Sequence, residues 1–246
     1  MEHSFKLTFN QKQTALAIKV SEFAELPTAL RQISLGDSRP ILVIVGGASQ
    51  ISDADFLRIQ SLFVEVLAPI AETLGAYVVD GGTDAGVMRL MGYARNQINA
   101  QFPLIGVVPI GKVVLPEQTT TPSDHASPLQ ADHTHFVLVA GNDWGDESPW
   151  LVEVATVLAG EYPSVTVLIN GGEITFADAL NSVTAGRLVM AIAGSGRTAD
   201  KLALAVGGNT TDELATKLAA SGKLQTIDLD AEKEELTKTI TNLLSS

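Results

Sequence analysis

The sequence predicts an α/β protein with a Rossmann-like, doubly wound, mainly parallel sheet and helices on both faces. Three observations carry that prediction. From residue 41 onward, short runs rich in β-branched residues alternate with longer segments of helical spacing. The runs are apolar throughout rather than at every second position, and glycine-bearing motifs directly follow six of them. Continuous apolarity marks strands buried on both faces of a parallel sheet. Strand–helix alternation then implies right-handed crossovers between parallel neighbours.

The elements follow in order. Residues 5–9 and 15–20 suit an antiparallel hairpin, and a helix is expected near 27–34, making residues 1–38 an N-terminal extension. Residues 41–45 form the first buried strand. Phe56, Ile59, Phe63, Val66, Leu67 and Ile70 recur at three and four, which predicts a long amphipathic helix over about 52–74. Further strands are expected at 76–79, 104–108, 136–139, 165–169 and 188–192, with helices at about 85–99, 149–160, 175–184 and 197–206. The last part, 211–246, reads as helix, strand and helix. Thr211 with Glu213 and Leu214 opens the first of these, 223–229 is the strand, and Asp230 caps a helix whose Leu236, Ile240, Leu243 and Leu244 form an apolar stripe. No linker or repeat divides the chain, so residues 1–246 are expected to make one domain. Residues 116–131, with three prolines and clustered Thr and Ser, are a candidate lid or a plain surface loop.

Composition narrows the function. The chain has 246 residues, 46% of them apolar, with 16 Lys plus Arg against 28 Asp plus Glu, a net charge of −12. So acidic a surface argues against nucleic acid as a partner. The absence of cysteine excludes disulfides, thiolate metal sites and a Cys nucleophile. No run approaches the roughly 18 apolar residues of a membrane span, and the start lacks an export signal. A cytoplasmic protein without a membrane partner is expected.

Position matters more than number among the glycines. The motifs are Gly46-Gly47-Ala48, Asp80-Gly81-Gly82-Thr83-Asp84-Ala85-Gly86, Pro109-Ile110-Gly111, Ala140-Gly141-Asn142-Asp143-Trp144-Gly145, Asn170-Gly171-Gly172-Glu173 and Ala193-Gly194-Ser195-Gly196-Arg197. In an open parallel sheet, ligands bind outside the carboxyl ends of the strands. Glycine lets the backbone approach a ligand, and the following helix offers free N–H groups suited to phosphate. Gly81-Gly82-Thr83 and Gly194-Ser195-Gly196 look most like phosphate cradles. Thr83 and Ser195 could add hydroxyls. Arg197 could fork onto two phosphate oxygens, or pair with Asp200.

The acids at this edge are Asp80, Asp84, Asp143, Asp146, Glu147 and Glu173. They could hold ribose hydroxyls, accompany magnesium or act as a general base, while Asp84 is expected above all to cap a helix. Glu147, directly past a strand end, and Glu153, in the next helix, are the catalytic candidates. His133 and His135 share one face beside Thr134, and ordinary hydrogen bonding suits them better than metal ligation. No Gly-x-Ser-x-Gly elbow, P-loop or strict Gly-x-Gly-x-x-Gly turn occurs.

Together these motifs, with His133-Thr134-His135-Phe136-Val137-Leu138-Val139, Trp144-Gly145-Asp146-Glu147-Ser148 and Gly194-Ser195-Gly196-Arg197-Thr198-Ala199-Asp200, resemble the SLOG superfamily over roughly residues 40–206. The chain is most similar to the branch found in the cytosolic N-terminal region of melastatin-type TRP channels and in standalone prokaryotic homologues. That resemblance implies a Rossmann-like fold that binds nucleotides or ligands of the ADP-ribose or NAD type. The contacts it implies are Gly46, Gly47, Ala48, Gly81, Gly82, Thr83, Gly194, Ser195, Gly196 and Arg197. The glycine edge adds Gly86, Gly111, Gly141 and Asn142. A second branch, the Lonely Guy type, cleaves nucleoside monophosphates with a Pro-Gly-Gly-x-Gly-Thr-x-x-Glu motif. Here residues 140–148 lack its proline and second glycine and hold no glutamate in register, and Asn170-Gly171-Gly172-Glu173-Ile174-Thr175 with Asp178 imitates it only superficially.

Two functions follow as expectations. One is a sensor or ligand-binding module for a nucleotide, with no certain cofactor beyond magnesium accompanying the ligand. The alternative is an N-glycosidase acting on a nucleotide. A homo-oligomer is compatible with either.

Overall fold

The computed structural model describes residues 4–10, 13–47, 53–116, 118 and 126–245. In chain order the strands are β1 (Phe5–Thr8), β2 (Thr14–Val20), β3 (Ile41–Gly46), β4 (Tyr77–Asp80), β5 (Leu104–Pro109), β6 (Val113–Val114), β7 (Ser127–Pro128), β8 (His135–Val139), β9 (Ser164–Ile169), β10 (Leu188–Ala193) and β11 (Leu224–Asp228). The helices are α1 (Leu26–Gln32), α2 (Asp53–Leu62), α3 (Ala68–Leu74), α4 (Gly86–Gln97), α5 (Ser148–Ala159), α6 (Glu173–Thr184), α7 (Arg197–Val206), α8 (Glu213–Ala220) and α9 (Lys233–Leu244).

Nine strands join in one sheet of order β1-β2-β8-β5-β4-β3-β9-β10-β11. Every pairing is parallel except that of β1 with β2. Rossmann-like winding is therefore what the chain adopts, and the expected hairpin serves as one margin of the sheet. Strand order reverses at β3, whose neighbours are β4 on one side and β9 on the other. That junction is the topological switch point, where a ligand crevice is expected.

Period-two geometry explains the continuous apolarity. Ile41, Val43 and Val45 face a core shared with α1, α5, α6, α7 and α8. Leu42 and Ile44 face a second core shared with α2, α3, α4 and α9. Tyr77 and Val79 point into the first core and Val78 into the second, repeating the pattern on β4.

The predicted helix over 52–74 is broken in the middle. Phe63–Leu67 wind as a π-helix, and the Ala68 N–H bonds back to the Phe63 carbonyl. Pro69, without an N–H, then sits in the first turn of α3. Two capping expectations are corrected. The helix after Asp84 is capped at Ala85, and Asp84 pairs with Arg89 instead. Asp230 pairs with Arg58, and Glu232 precedes the final helix. The helix expected to open at Thr211 is capped one residue later, by Asp212, whose side chain accepts from the Ala215 N–H at 3.0 Å. Residues 117 and 119–125 of the candidate lid lie outside the described residues. Among the described residues no helix is long and apolar enough to cross a membrane.

Candidate functional site

The loops after β3 and β9 meet at the switch point. A Cβ on Gly47 would lie 3.3 Å from Gly171 Cα, so only bare backbone lets the two loops touch. Beside them opens a cleft of about 640 Å³. Gly46, Gly47, Gly81, Thr83, Gly172, Glu173 and Arg197 line it. Met88, Trp144 and Ile174 supply apolar surface, and Glu147 and Asp178 belong to the same lining. Residues singled out in the sequence are thus brought together: Gly46, Gly47, Gly81, Thr83, Glu147, Glu173 and Arg197.

Arg197 is the first residue of α7 and has φ of +50°, a region that L side chains rarely adopt. Its guanidinium lies against Gly172, where a Cβ would come within 3.0 Å of Nη2. The amino end of α6 and the Arg197 guanidinium therefore converge on one stretch of wall. Such a pairing of helix terminus and guanidinium suits an anionic oxygen.

Other candidates brace the loops. Ser195 is buried, and its hydroxyl donates to the Ile192 carbonyl at 2.6 Å and accepts from the Asn170 N–H at 2.8 Å. Its one donor is spent inside the loop, which corrects the expectation that it faces phosphate. Gly194 gives its N–H to Asp200 at 2.7 Å. Gly196 makes room for Asn170, whose Nδ2 would lie 2.8 Å from a Cβ there. Gly82 is buried beneath its loop against Gly106 and Phe136. Gly86 opens α4 with φ of +54° outside the cleft lining. Gly111, Gly141 and Asn142 pack on one another at the ends of β5 and β8, the Gly111 N–H bonding the Gly141 carbonyl at 2.9 Å. Ala48 lies outside the described residues.

Glu153 belongs elsewhere. Its charge acts on Arg187, a buried side chain at the amino end of β10 whose Nε donates to Ser164 Oγ at 3.0 Å. Burial lowers the Arg187 guanidinium to about 10 against the pull of Glu153. The Glu153 carboxylate is absent from the cleft lining.

Asp178, which in the sequence belongs only to a superficial imitation of the Lonely Guy motif, lines the cleft. It is buried on α6, and Ser148 Oγ donates to its Oδ1 across the α5–α6 contact. Burial raises its carboxyl from 3.8 to about 7, opposed by the Ser148 bond and reinforced by the Glu147 charge. Burial also raises Glu147, although the Gly145 N–H donates to its Oε2 at 2.8 Å. The cleft thus contains two acids held toward their neutral forms, one at the amino cap of α5 and one on α6. Spacing held a signal: Thr175, Asp178, Ala179 and Ser182 follow i, i+3, i+4, i+7 and are the buried face of α6. A carboxylate on such a face asks for a reason.

His135 remains an ordinary sheet-end histidine, bonded to Thr134 and lowered to about 4 by burial. No group of three or more His, Asp or Glu among the described residues is arranged to hold a metal.

Residues 39–238 match the family described as "SLOG in TRPM, prokaryote". The chain belongs to that family. It is 25% identical over 194 residues to transient receptor potential cation channel subfamily M member 2 of Rattus norvegicus. The match covers 65% of this chain and 13% of the channel subunit. The member-like 2 protein of Nematostella vectensis is 26% identical over 181 residues, covering 58% of this chain and 12% of that protein. The chain therefore spans about an eighth of these channel subunits' length. Among solved structures, the X-ray structure of TM1055 superposes with a TM-score of 0.53 at 19% identity, covering 82% of this chain and 98% of that one. That likeness is one of fold.

Proposed function

We propose that this SLOG-family chain binds a nucleotide or nucleotide-derived anion of the ADP-ribose or NAD type in the switch-point cleft, as a sensor or ligand-binding module. The observation that carries the reading is the convergence of the α6 amino end and Arg197 in a cleft also lined by Gly46, Gly47 and Gly81. Phosphate oxygens would lie at that convergence. Trp144, Met88 and Ile174 offer an apolar face to the base, and magnesium would arrive with the ligand's phosphates. Similarity to part of a melastatin-type channel subunit supports the same ligand class.

The test is a thermal melt, followed by calorimetry, against ADP-ribose, NAD, AMP and GMP. A ligand at about 100 times its dissociation constant adds roughly 2.7 kcal/mol, a readily measured rise in melting temperature. Arg197→Ala should weaken binding by about 1.5–3 kcal/mol, the worth of a charge-assisted hydrogen bond. Equal affinity in that variant removes Arg197 from the site.

The paired acids favour a second reading, cleavage of an N-glycosidic bond. A carboxyl held neutral can donate a proton to a departing base while a carboxylate beside it steadies the ribosyl cation or activates water. Glu147 and Asp178 are the pair suited to it. Free base released by the wild-type protein, and lost in both Glu147→Gln and Asp178→Asn on chromatography, would make the protein an enzyme. Intact nucleotide after long incubation leaves the binding module.

A further inference from the structure

We propose that a buried Asp80–His133 ion pair clamps the Gly81-Gly82-Thr83 loop, and that His133 is a positioning residue for the cleft. The positioning half of this rests on the binding reading above; the clamp itself does not.

Asp80 ends β4 and is fully buried. Its Oδ1 accepts the Gly82 N–H at 2.7 Å and faces His133 Nε2 at 2.8 Å. The His133 ring is itself buried and stacks on Phe136 at 5.3 Å between centroids. Neither side chain lines the cleft, so both act through the loop above them.

Hydrogen bonding around Gln130 counts the protons. The Asp132 backbone N–H donates to Gln130 Oε1 at 2.8 Å, and Gln130 Nε2 donates to Asp132 Oδ2 at 2.8 Å. Both contacts require the amide oxygen to be Oε1. His133 Nδ1 lies 3.0 Å from that oxygen and must therefore be the donor. Its Nε2 would then be a bare lone pair against a carboxylate unless it too carries a proton. One proton must therefore lie between Nε2 and Asp80 Oδ1, and the proposed ion pair places it on the imidazole.

The surroundings are shaped for it. A Cβ on Gly92 would lie 2.3 Å from Gln130 Oε1, so this mid-helix glycine makes the space that Gln130 fills. Gly82 presses on Gly106, with a Cβ there 2.8 Å from Gly106 Cα. Above the pair, the Gln130 N–H bonds the Gly82 carbonyl at 3.0 Å and the Asp84 N–H bonds the Pro128 carbonyl at 2.8 Å. Asp80 Oδ2 is buried without a hydrogen-bond partner among the described residues. Its charge is answered through Oδ1, by His133. Loss of His133 would strand a buried charge beneath the loop that lines the cleft.

Two experiments test this. Long-range proton–nitrogen NMR at pH 7 should show both His133 ring nitrogens protonated, against a neutral ring at His135; a bare Nε2 on His133 overturns the ion pair. Amide exchange in His133→Gln should speed about tenfold or more at Gly82 and Thr83 and stay unchanged in β9. The double variant Asp80→Asn/His133→Gln, neutral at both sites, should recover most of that protection and serves as the comparison if the single variant fails to fold. Equal exchange in the wild-type protein and both variants overturns the clamp. ADP-ribose calorimetry then reads positioning: His133→Gln should bind about tenfold more weakly, and unchanged affinity removes that role. A wild-type protein that binds no nucleotide fails the binding reading and the positioning role with it, while the NMR and exchange results still decide the clamp.

Discussion

Glycines end strands across the sheet, and their surroundings differ. After β4, Gly81 borders open space, where a Cβ would meet nothing closer than Met88 Sδ at 3.7 Å, whereas Gly46, Gly47, Gly82 and Gly171 are closed against neighbouring chain. At β5 and β8 the space beside glycine is filled by the chain itself, and a Cβ on Gly111 would lie 2.5 Å from Asn142 Oδ1 and 2.7 Å from the Gly141 carbonyl. Absence of a side chain has two uses, to admit a ligand or to admit another strand's loop.

Three substitutions sharpen that contrast. Gly111→Ala should have the largest effect. Its methyl meets backbone, and overpacking of that kind costs roughly 1–3 kcal/mol, or a drop of about 3–10 °C in melting temperature at this size. Nucleotide-induced stabilisation should survive it, as differential scanning calorimetry with and without ADP-ribose would show.

Asp178→Asn comes next and acts through pH. The folded carboxyl titrates near 7 against 3.8 as reference, so the stability it contributes is complete below about 4 and is lost as pH rises through 7. The variant should lose less stability than the wild-type protein between pH 4 and 7, with a melting temperature above pH 7 higher on the order of 5 °C. Anion affinity should likewise fall across neutrality in the wild-type protein and less in the variant. Superimposable pH profiles would remove Asp178 from that role.

Gly81→Ala should have the smallest effect on stability, under about 1 kcal/mol, because it meets ordinary van der Waals distances. Yet it should abolish or sharply reduce the melting shift produced by nucleotide. A Gly81→Ala protein that responds to ligand like the wild type would mean that Gly81 and Gly111 do not differ in function.

The fold was legible because burial on two faces writes itself into consecutive apolar residues, as 41–45 and 165–169 do. The hairpin and the final strand and helix were legible too, although the caps beside Asp84 and Asp230 were not. A short acidic side chain ahead of a helix reads as a cap until a distant arginine claims it, as Arg58 does for Asp230. Half of the candidate site was legible for a related reason. Glycine marks a close approach without naming what approaches, so Gly47 and Gly111 read alike. Ser195 looked like a phosphate donor because its partner, the Ile192 carbonyl, is offered only by the folded turn. Asp178 reads as part of a superficial motif imitation because its meaning lies in Ser148, 30 residues away.

The place of β3 also bears on how the chain comes together. Its first neighbour, β4, is made soon after it, but its second, β9, begins only at Ser164. A ribosome must therefore deliver two thirds of the protein before the middle of the sheet can close. Until then β3 offers an apolar strand with one unpaired margin, the kind of surface that invites association with other chains. High sequence separation at the sheet's centre makes folding slow and concentrates the risk of aggregation in that interval of synthesis.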